Sequence, residues 1–278
     1  MLPKFASVNP KTKKEALAYL ATLDDARAIA GGTDLLVDMK KGESCSNIID
    51  IMNVEELKRL SGNGGEIIIG STVTHAAIST ATILNDMAQS LSAACGWIGS
   101  PQIRNMGTIG GNLVNASPAA DSIPPLLVHD AVLSIESQES GRDETLEDFI
   151  IAPYETSLKR RELLTSVRIK SLPEYREGYR KIAKRAVWAI SRLSVAWAIR
   201  EDENYFIDVK LAIGSCTPMP FRPRTAEEFL RGRKKDDSMI REAVTMVIEE
   251  IQRITGDRPS FVYKLPAVRD LVQKALRG

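Results

Sequence analysis

The sequence contains few of the residues that ligate metals or act as nucleophiles. Among its 278 residues are three cysteines and two histidines, and no two cysteines form a Cys-x-x-Cys pair. This excludes a cysteine-ligated iron–sulfur cluster or zinc site within the chain. An odd number of dispersed cysteines is typical of a reducing compartment. We interpret both histidines, His75 and His129, as structural, since neither has a carboxylate or cysteine partner at the spacing of a metal site.

Strong net charge and long apolar runs are also missing. The 37 basic and 36 acidic residues give a net charge of +1, which provides no electrostatic basis for binding nucleic acid or an anionic membrane surface. No window approaches the roughly 18 apolar residues of a membrane-spanning helix, and the N-terminal residues have no apolar signal-peptide core. We therefore expect a cytoplasmic protein that neither binds nucleic acid nor inserts into a membrane.

Two glycine-rich segments are the most informative features that the sequence does contain. The first consists of Ile29, Ala30, Gly31, Gly32, Thr33, Asp34 and Leu35, and the second of Thr108, Ile109, Gly110, Gly111 and Asn112. Glycine reaches φ > 0 and lets a ligand approach the backbone closely, and successive N–H groups in such turns bind anions. Each segment alone is also compatible with an ordinary tight turn. Together they favour a dinucleotide whose diphosphate is bound from two sides.

The common glycine motifs for nucleotides do not occur in the chain. Neither G-x-G-x-x-G nor G-x-x-x-x-G-K-[ST] is present, which excludes a Rossmann fingerprint and a P-loop. From the second glycine segment onwards, 108–121 contains few large aliphatic residues and a single charge, Asp121. This composition predicts a ligand-facing loop rather than a core element.

These motifs together resemble the FAD-binding subunit of molybdenum hydroxylases. The resemblance rests on AGGTDLL at 30–36, on QIRNMGTIGGN at 102–112 and on ASPAAD at 116–121, and it runs from about Phe5 to about Arg231. The family includes the medium subunit of aerobic carbon monoxide dehydrogenase and the flavin domain of xanthine dehydrogenase. The resemblance implies that FAD is the cofactor.

The resemblance also implies the fold and the division of the chain. We expect an α+β protein in which a two-lobe FAD-binding domain of the PCMH/VAO type is followed by a C-terminal domain with a three-stranded antiparallel sheet and helices. Pro173 and the charged residues after it mark the boundary. The FAD-binding domain would span 1–172, with lobes of about 1–57 and 58–172, and the C-terminal domain 173–278.

Local patterns predict the elements that carry the glycine segments. Thr12-x-x-Glu15 is a capping box that opens a helix. A strand over 26–30 and a helix towards Lys41 put the first glycine segment at a helix N-terminus, where the dipole favours anions. A further helix is predicted over 86–97. The alternation and caps farther along the chain predict strands and a helix over 163–170, 179–185, 192–200, 205–214 and 237–255.

The chemistry of FAD assigns roles to these residues. Backbone N–H groups of both glycine segments would bind the diphosphate, with hydroxyl donors from Thr33 and Thr108. A carboxylate repels phosphate, so we expect Asp121 to accept hydrogen bonds from ribityl or ribose hydroxyls, as the resemblance also implies. The alternative is that Asp121 caps the helix that follows it. By resemblance, Ser117 in the same loop is a further cofactor-binding residue.

Three more residues match positions that contact the flavin ring in the family. The resemblance implies that Ile98 and Leu164 pack against the isoalloxazine and that Lys181 contacts it from the C-terminal domain. A cation near the N1–C2=O edge would stabilise the anionic reduced flavin. The alternative for Lys181 is an outward-facing residue of a strand. One segment departs from the family pattern, because 186–190 reads AVWAI where many relatives have an acidic residue. The electron-acceptor face is therefore expected to differ from that of the relatives that reduce NAD.

The function follows from this combination of residues. A flavin without a resident cluster, metal or evident substrate base is suited to electron transfer. The resemblance implies an oxidoreductase subunit that passes electrons through FAD to an acceptor such as NAD. It would receive them from [2Fe–2S] clusters of a small subunit, which a molybdopterin large subunit reduces. A free-standing FAD-dependent oxidase or reductase of the vanillyl-alcohol oxidase type is the alternative, and a nucleotide-binding regulatory protein without turnover is a third.

The residues around the glycine segments predict a non-covalent flavin, since no histidine or cysteine adjoins either one. Denaturing the purified chain should release a yellow cofactor with the flavin spectrum and the mass of FAD. Release of FMN, or failure to bind FAD on reconstitution, would contradict the assignment.

Overall fold

The computed structural model describes residues 2–63, 65–184 and 190–278. The chain folds into two compact units, each built from separate segments. The first unit contains the residues up to Ile78, Gly99–Ala116 and Asp130–Lys170. The second unit contains Ser79–Ile98, Ser117–His129 and Ser171–Gly278. Two segments from the N-terminal half of the chain therefore fold together with its C-terminal part.

Strands and helices are interspersed along the chain. The strands are, in order, β1 (Ala6–Val8), β2 (Ala26–Ile29), β3 (Asn47–Asp50), β4 (Leu60–Asn63), β5 (Glu66–Gly70), β6 (Val132–Glu136), β7 (Gly141–Thr145), β8 (Ile150–Ala152), β9 (Glu155–Thr156), β10 (Leu163–Lys170), β11 (Arg176–Ala183), β12 (Ser191–Asp202) and β13 (Tyr205–Gly214). The helices are α1 (Lys13–Thr22), α2 (Leu35–Lys41), α3 (His75–Thr80), α4 (Thr82–Met87), α5 (Gln89–Gly96), α6 (Pro101–Met106), α7 (Ile109–Asn115), α8 (Ile123–Val128), α9 (Leu146–Phe149), α10 (Arg224–Leu230), α11 (Asp237–Thr255) and α12 (Phe261–Arg277), with a 3-10 helix at Glu55–Lys58. A helix with the length and hydropathy of a membrane span is absent from the described residues.

The first unit contains a small parallel sheet and a larger antiparallel sheet. Within the described residues, the parallel sheet has the order β1-β3-β2 and the antiparallel sheet the order β4-β5-β10-β6-β7. Helix α1 begins after Thr12, whose hydroxyl accepts a hydrogen bond from the Glu15 N–H at 3.2 Å, which confirms the predicted cap. Apolar side chains of α1, among them Leu17 and Leu20, are buried with Ile49 of β3.

The second unit is built on the antiparallel sheet β11-β12-β13. Glu203 and Asn204 have φ values of 44° and 71°, and this left-handed pair turns β12 into β13, which confirms the predicted meander and the expected C-terminal sheet with helices. Helix α11 is capped by Asp236, whose carboxylate accepts a hydrogen bond from the Met239 N–H at 3.0 Å. Its buried residues recur every three or four positions and join the core of β12 and β13.

The structure divides the predicted helix over 86–97 into α4 and α5. The break is at Ala88, whose φ of −154° and ψ of 55° are not helical. Helix α5 starts anew because the Glu177 carboxylate accepts hydrogen bonds from the Ser90 N–H at 3.1 Å and the Ser90 hydroxyl at 2.9 Å. The helix dipole also favours a negative charge at this end. The sequence of the helix alone does not contain this partner.

The segment 108–121, predicted as a loop, is helical in its first half. Helix α7 buries Ile109 and Leu113, and the loop begins only after Ala116, whose φ is 46°. The prediction was wrong there because paired glycines usually interrupt a helix. In this chain they lie in the first turn, where Thr108 provides the cap.

The contacts of Glu177 generate a stability prediction. Its side chain is 4% exposed and lies 3.0 Å from Nε2 of His129. Glu177→Gln keeps the size but removes the charged acceptor, so we expect the free energy of unfolding to fall by about 1–3 kcal/mol in urea titrations. The control is Glu174→Gln, which breaks an exposed ion pair with Arg200 and should cost below about 1 kcal/mol. Equal losses in both variants would contradict the structural role of Glu177.

Candidate functional site

The first glycine segment lies directly against the chain that leads into the second one. A Cβ atom at Gly31 would overlap the carbonyl oxygen of Met106, and one at Gly107 would stand 3.5 Å from the Thr33 hydroxyl oxygen. All these residues belong to the first unit. The two turns, distant in the sequence, are therefore neighbours in the fold.

Consecutive N–H groups in the first glycine segment are available to a ligand. Within the described part of the chain, no hydrogen bond uses the main-chain N–H groups of Gly31 through Leu35. Gly32 has a φ of 66°, a left-handed conformation that glycine adopts at no steric cost. Successive unpaired N–H groups in such a turn form an anion-binding concavity. The chemistry of this donor set fits a diphosphate.

The N–H groups of the second glycine segment are already engaged within the protein. Those of Ile109 and Gly110 donate to the carbonyl oxygens of Val73 and Ser71 at 3.0 and 2.9 Å. That of Gly111 donates to the Thr108 hydroxyl oxygen at 3.1 Å. The N–H of Asn112, the next residue, donates to the Thr108 carbonyl oxygen at 3.0 Å. Tertiary pairing and helix formation use these donors, and the binding of phosphate by this segment's backbone stays a prediction.

The second segment can still contact a ligand through its surface and side chains. Among the described residues, a Cβ at Gly111 would meet only the Thr108 hydroxyl oxygen, at 3.0 Å, so the Gly111 backbone is open to close approach. Thr108 has one O–H donor left for a ligand after accepting the cap hydrogen bond. Behind the turn, the hydroxyls of Ser71 and Thr72 are buried without a partner among the described residues. Such groups favour the presence of a polar ligand, since unpaired hydroxyls cost stability.

The two glycines of the second pair have different roles. A Cβ at Gly110 would lie 2.6 Å from the Ser71 Cβ and 2.7 Å from its carbonyl oxygen, so protein packing alone requires glycine there. Gly111 has no such backbone neighbour. The same division holds in the first pair, where Gly31 packs against Met106 and Gly32 has the left-handed φ.

In the second unit, Asp121 and Lys181 form a buried ion pair. Their side chains are 6% and 7% exposed, and Lys181 Nζ lies 2.7 Å from Asp121 Oδ2. The Tyr179 hydroxyl donates to Asp121 Oδ1 at 2.5 Å, and Lys181 also donates to the Trp97 carbonyl oxygen at 2.8 Å. Burial raises the pKa of Asp121, while the Lys181 ammonium and the Tyr179 hydroxyl oppose that shift.

These contacts remove the alternatives for both residues. Helix α8 has Ser122 rather than Asp121 at its N-cap, so Asp121 is not a capping residue. Lys181 is not an outward-facing strand residue, because its side chain is buried against Asp121. The contacts that we propose between these two residues and the cofactor would therefore be made by an ion pair rather than by two separate charges.

The remaining predicted residues divide between the two units. Leu164 is 2% exposed on β10 of the first unit. Ile98, after α5, and Ser117, whose hydroxyl accepts a hydrogen bond from the Ala119 N–H at 3.3 Å, are half-buried in the second unit. The segment 186–190, which departs from the family pattern, lies outside the described residues except for Ile190.

The first segment also contributes to packing through its apolar residues. Ile29 and Leu35 pack against the core cluster of Met39, Cys45 and Ile48, and Ala30 packs against the core of the parallel sheet. Asp34 is the N-cap residue of α2, but its side chain makes no cap hydrogen bond. The predicted location of the helix towards Lys41 is confirmed.

The sequence analysis did not identify Tyr179 and Glu177 as partners of polar residues in the second unit. Tyr179 hydrogen-bonds to Asp121, and Glu177 to Ser90 and His129. Both lie on β11 with Lys181, and the three positions alternate along the strand, so their side chains share one face. The alternation of these polar residues in the sequence could have indicated that they share one face of a strand. The partners of these residues are far away in the sequence and no local pattern identifies them.

Two family models cover almost the whole chain. Residues 3–172 match the FAD binding domain in molybdopterin dehydrogenase, and residues 178–278 match the CO dehydrogenase flavoprotein C-terminal domain. The glyceraldehyde dehydrogenase medium chain of Sulfolobus acidocaldarius is 31% identical over 277 residues, which cover 99% of this chain and 98% of that protein. The xanthine dehydrogenase FAD-binding subunit of Escherichia coli O157:H7 is 29% identical over 269 residues, which cover 95% and 92%.

A solved structure supports the same assignment. Carbon monoxide dehydrogenase from Hydrogenophaga pseudoflava superposes with a TM-score of 0.91 at 25% identity, over 100% of this chain and 97% of that one. Fold and glycine turns thus define an FAD-binding subunit of an oxidoreductase. The chain belongs to the family of FAD-binding medium subunits of the xanthine dehydrogenase and carbon monoxide dehydrogenase type, and FAD is its cofactor. The resemblance and the fold class read from the sequence are confirmed.

Gly110 and Gly111 are adjacent but have different surroundings, so we expect substitutions at the two positions to have different effects. Gly110→Ala should lower the free energy of unfolding by about 1–3 kcal/mol, because the added methyl has no room against the Ser71 backbone. Gly111→Val should change it less, yet FAD binding should be lost because the branched side chain blocks close approach. Urea titration and FAD titration of the apo-protein measure the two effects.

Asp121→Asn serves as the comparison in the binding experiment. It keeps an acceptor and loses mainly charge, so FAD affinity should fall by about 1–2 kcal/mol. Wild-type affinity in the Gly111→Val variant would rule out the proposed contact.

Proposed function

We propose that this chain is the electron-transfer flavin subunit of a molybdenum hydroxylase complex. It would take electrons from the [2Fe–2S] clusters of a small subunit, which a molybdopterin large subunit reduces during substrate oxidation. It would pass them through FAD to an acceptor such as NAD. The observation that carries the proposal is that the first unit offers an anion-binding turn suited to FAD while the sequence lacks cysteines for a cluster.

The relatives of this chain support the need for partners. The relatives include a dehydrogenase medium chain and an FAD-binding subunit, each matched over nearly its full length. A medium chain is one component of a larger enzyme. Substrate oxidation would then take place on another polypeptide, and this chain would determine only the route of the electrons.

We assign contacts with FAD to both units of the chain. In the first unit, the N–H groups of Gly31 through Leu35 and the Thr33 hydroxyl would bind the diphosphate, with Thr108 and Asn112 nearby. In the second unit, Ser117 and Asp121 would bind ribityl or ribose hydroxyls. The ring would contact Ile98, Leu164 and Lys181. When bound, FAD supplies a group that exchanges electrons singly or in pairs.

The domain boundaries and the compartment complete the proposal. We assign 1–172 to the FAD-binding domain, with lobes of about 1–57 and 58–172, and 173–278 to the C-terminal domain, which the family matches at 3–172 and 178–278 support. We place the protein in the cytoplasm, because all three cysteines are buried and none forms a disulfide, as expected in a reducing compartment.

The alternative of a free-standing flavin oxidase is not favoured. Such an enzyme needs a substrate base beside the flavin, and the comparisons give relatives that are subunits of dehydrogenases. The buried histidines also do not serve this role. His129 contacts Glu177, and desolvation lowers the pKa of His75 to about 4.

The proposal predicts that the isolated, FAD-loaded chain has little or no turnover with purines, aldehydes or carbon monoxide, since it contains no site that oxidises them. Affinity purification of the tagged chain from its native host should recover an iron–sulfur protein and a molybdopterin protein, identified by mass spectrometry. The untagged chain provides the control for non-specific recovery. Robust substrate oxidation by the chain in a preparation free of iron and molybdenum would support the oxidase instead.

A further inference from the structure

One face of β11 carries a row of polar side chains that determines the surroundings of Asp121. Glu177, Tyr179 and Lys181 occupy alternate positions of the strand. Tyr179 and Lys181 each hold one oxygen of the Asp121 carboxylate, at 2.5 and 2.7 Å. Lys181 is itself fixed by the Trp97 carbonyl oxygen at 2.8 Å. The carboxylate therefore has a defined position before any ligand binds.

The arrangement leaves acceptor capacity on the carboxylate. An ionised carboxylate has about four lone-pair sites. Tyr179 and Lys181 occupy one on each oxygen, and the Ser191 hydroxyl also hydrogen-bonds to Asp121. Acceptor capacity therefore remains for a ligand hydroxyl. A protonated carboxyl would lose part of this capacity and would present its own O–H instead, so the ionised form is the better acceptor.

Burial disfavours the ionised form of Asp121, whereas the β11 residues favour it. Desolvation raises the pKa of Asp121, whereas the Lys181 charge and the hydrogen bonds from Lys181 and Tyr179 lower it. Removal of either β11 side chain would therefore raise the pKa of Asp121 further. The neutral carboxyl would then persist to a higher pH.

We propose that Tyr179 is a positioning residue of the FAD site, which acts through Asp121 by holding its carboxylate in place and in the ionised form. The inference rests on the proposed function, because the contact between Asp121 and FAD hydroxyls is part of it. Tyr179 itself need not touch the cofactor. Its effect on FAD binding is transmitted by the hydrogen bond to Asp121 Oδ1.

The groups around Asp121 define the expected pH dependence. They are Tyr179 and Lys181 of β11, Cys95 of α5 and the hydroxyl of Ser191 at the start of β12. Burial raises the pKa values of Cys95 and Tyr179, so both stay protonated below pH 8. FAD binds more tightly to the ionised carboxylate, so its affinity should fall as the pH drops through the pKa of Asp121. In Tyr179→Phe this fall should occur at a higher pH.

A double-mutant cycle tests the proposal on the full-length chain. Apo-protein is titrated with FAD between pH 5 and pH 9 for wild type, Tyr179→Phe, Asp121→Asn and the double variant. A displaced or neutral Asp121 accepts a hydrogen bond from an FAD hydroxyl less well, so Tyr179→Phe should weaken FAD binding by up to about tenfold at pH 7, the scale of one hydrogen bond to a charged group. In the Asp121→Asn background the same change should have an effect below about twofold, because the group through which Tyr179 acts has lost its charge.

A second tyrosine provides a matched control. The Tyr175 hydroxyl donates to Asp208 Oδ2 at 2.8 Å, so Tyr175→Phe also removes a tyrosine–aspartate hydrogen bond in the second unit. It should leave the FAD affinity and its pH profile unchanged. Thermal melts of the apo-proteins show whether each variant is folded. If Tyr179→Phe does not fold, Tyr179→Met, which also lacks the hydroxyl, replaces it in the cycle, with the same non-additivity and the same upward shift expected.

The outcomes separate this inference from the proposed function. If wild type fails to bind FAD, the proposed function is wrong. If wild type binds FAD but Tyr179→Phe weakens binding equally in both backgrounds, or leaves the pH profile unmoved, Tyr179 has only a structural role and the inference is overturned. Weakened binding confined to the background that retains Asp121, together with the shifted profile, supports it.

Discussion

The architecture of the first unit depends on one close approach between two stretches of backbone. The Met106 carbonyl occupies the space that a side chain at Gly31 would need. Dense packing of this kind leaves no room for adjustment, so the first glycine turn is held in register with the chain that enters α7. The other side of that turn carries the N–H groups of Gly31 through Leu35, which have no acceptor among the described residues.

The second unit combines an apolar core with buried polar contacts. Buried charges are costly unless they are paired and hydrogen-bonded, and β11 meets this requirement with Glu177, Tyr179 and Lys181. Their partners include Ser90 at the start of α5, His129 at the end of α8 and Asp121 before α8. Polar pairing of this kind fixes positions more specifically than apolar packing does, since each donor must meet its acceptor.

Local signals were sufficient for much of the fold. The bounds of β10, β13 and α11 agree with the predicted ranges. Strand alternation and helix caps depend on residues that are neighbours in the sequence, so both can be recognised there. Local signals do not show whether a backbone N–H group is free, because this depends on hydrogen-bond acceptors elsewhere in the chain. Gly110 donates to Ser71, and no local pattern indicates this contact. The pairing of Asp121 with Tyr179 was missed for the same reason.

The interleaved segments of the second unit have a consequence for modularity. Sequence families divide the chain near 172, but 79–98 and 117–129 fold with the C-terminal sheet. A fragment that ends at 172 would carry α4, α5 and α8 without the strands that cover them. Recombination at that point would therefore exchange incomplete structures, and the two sequence families are expected to be inherited together as one evolutionary unit.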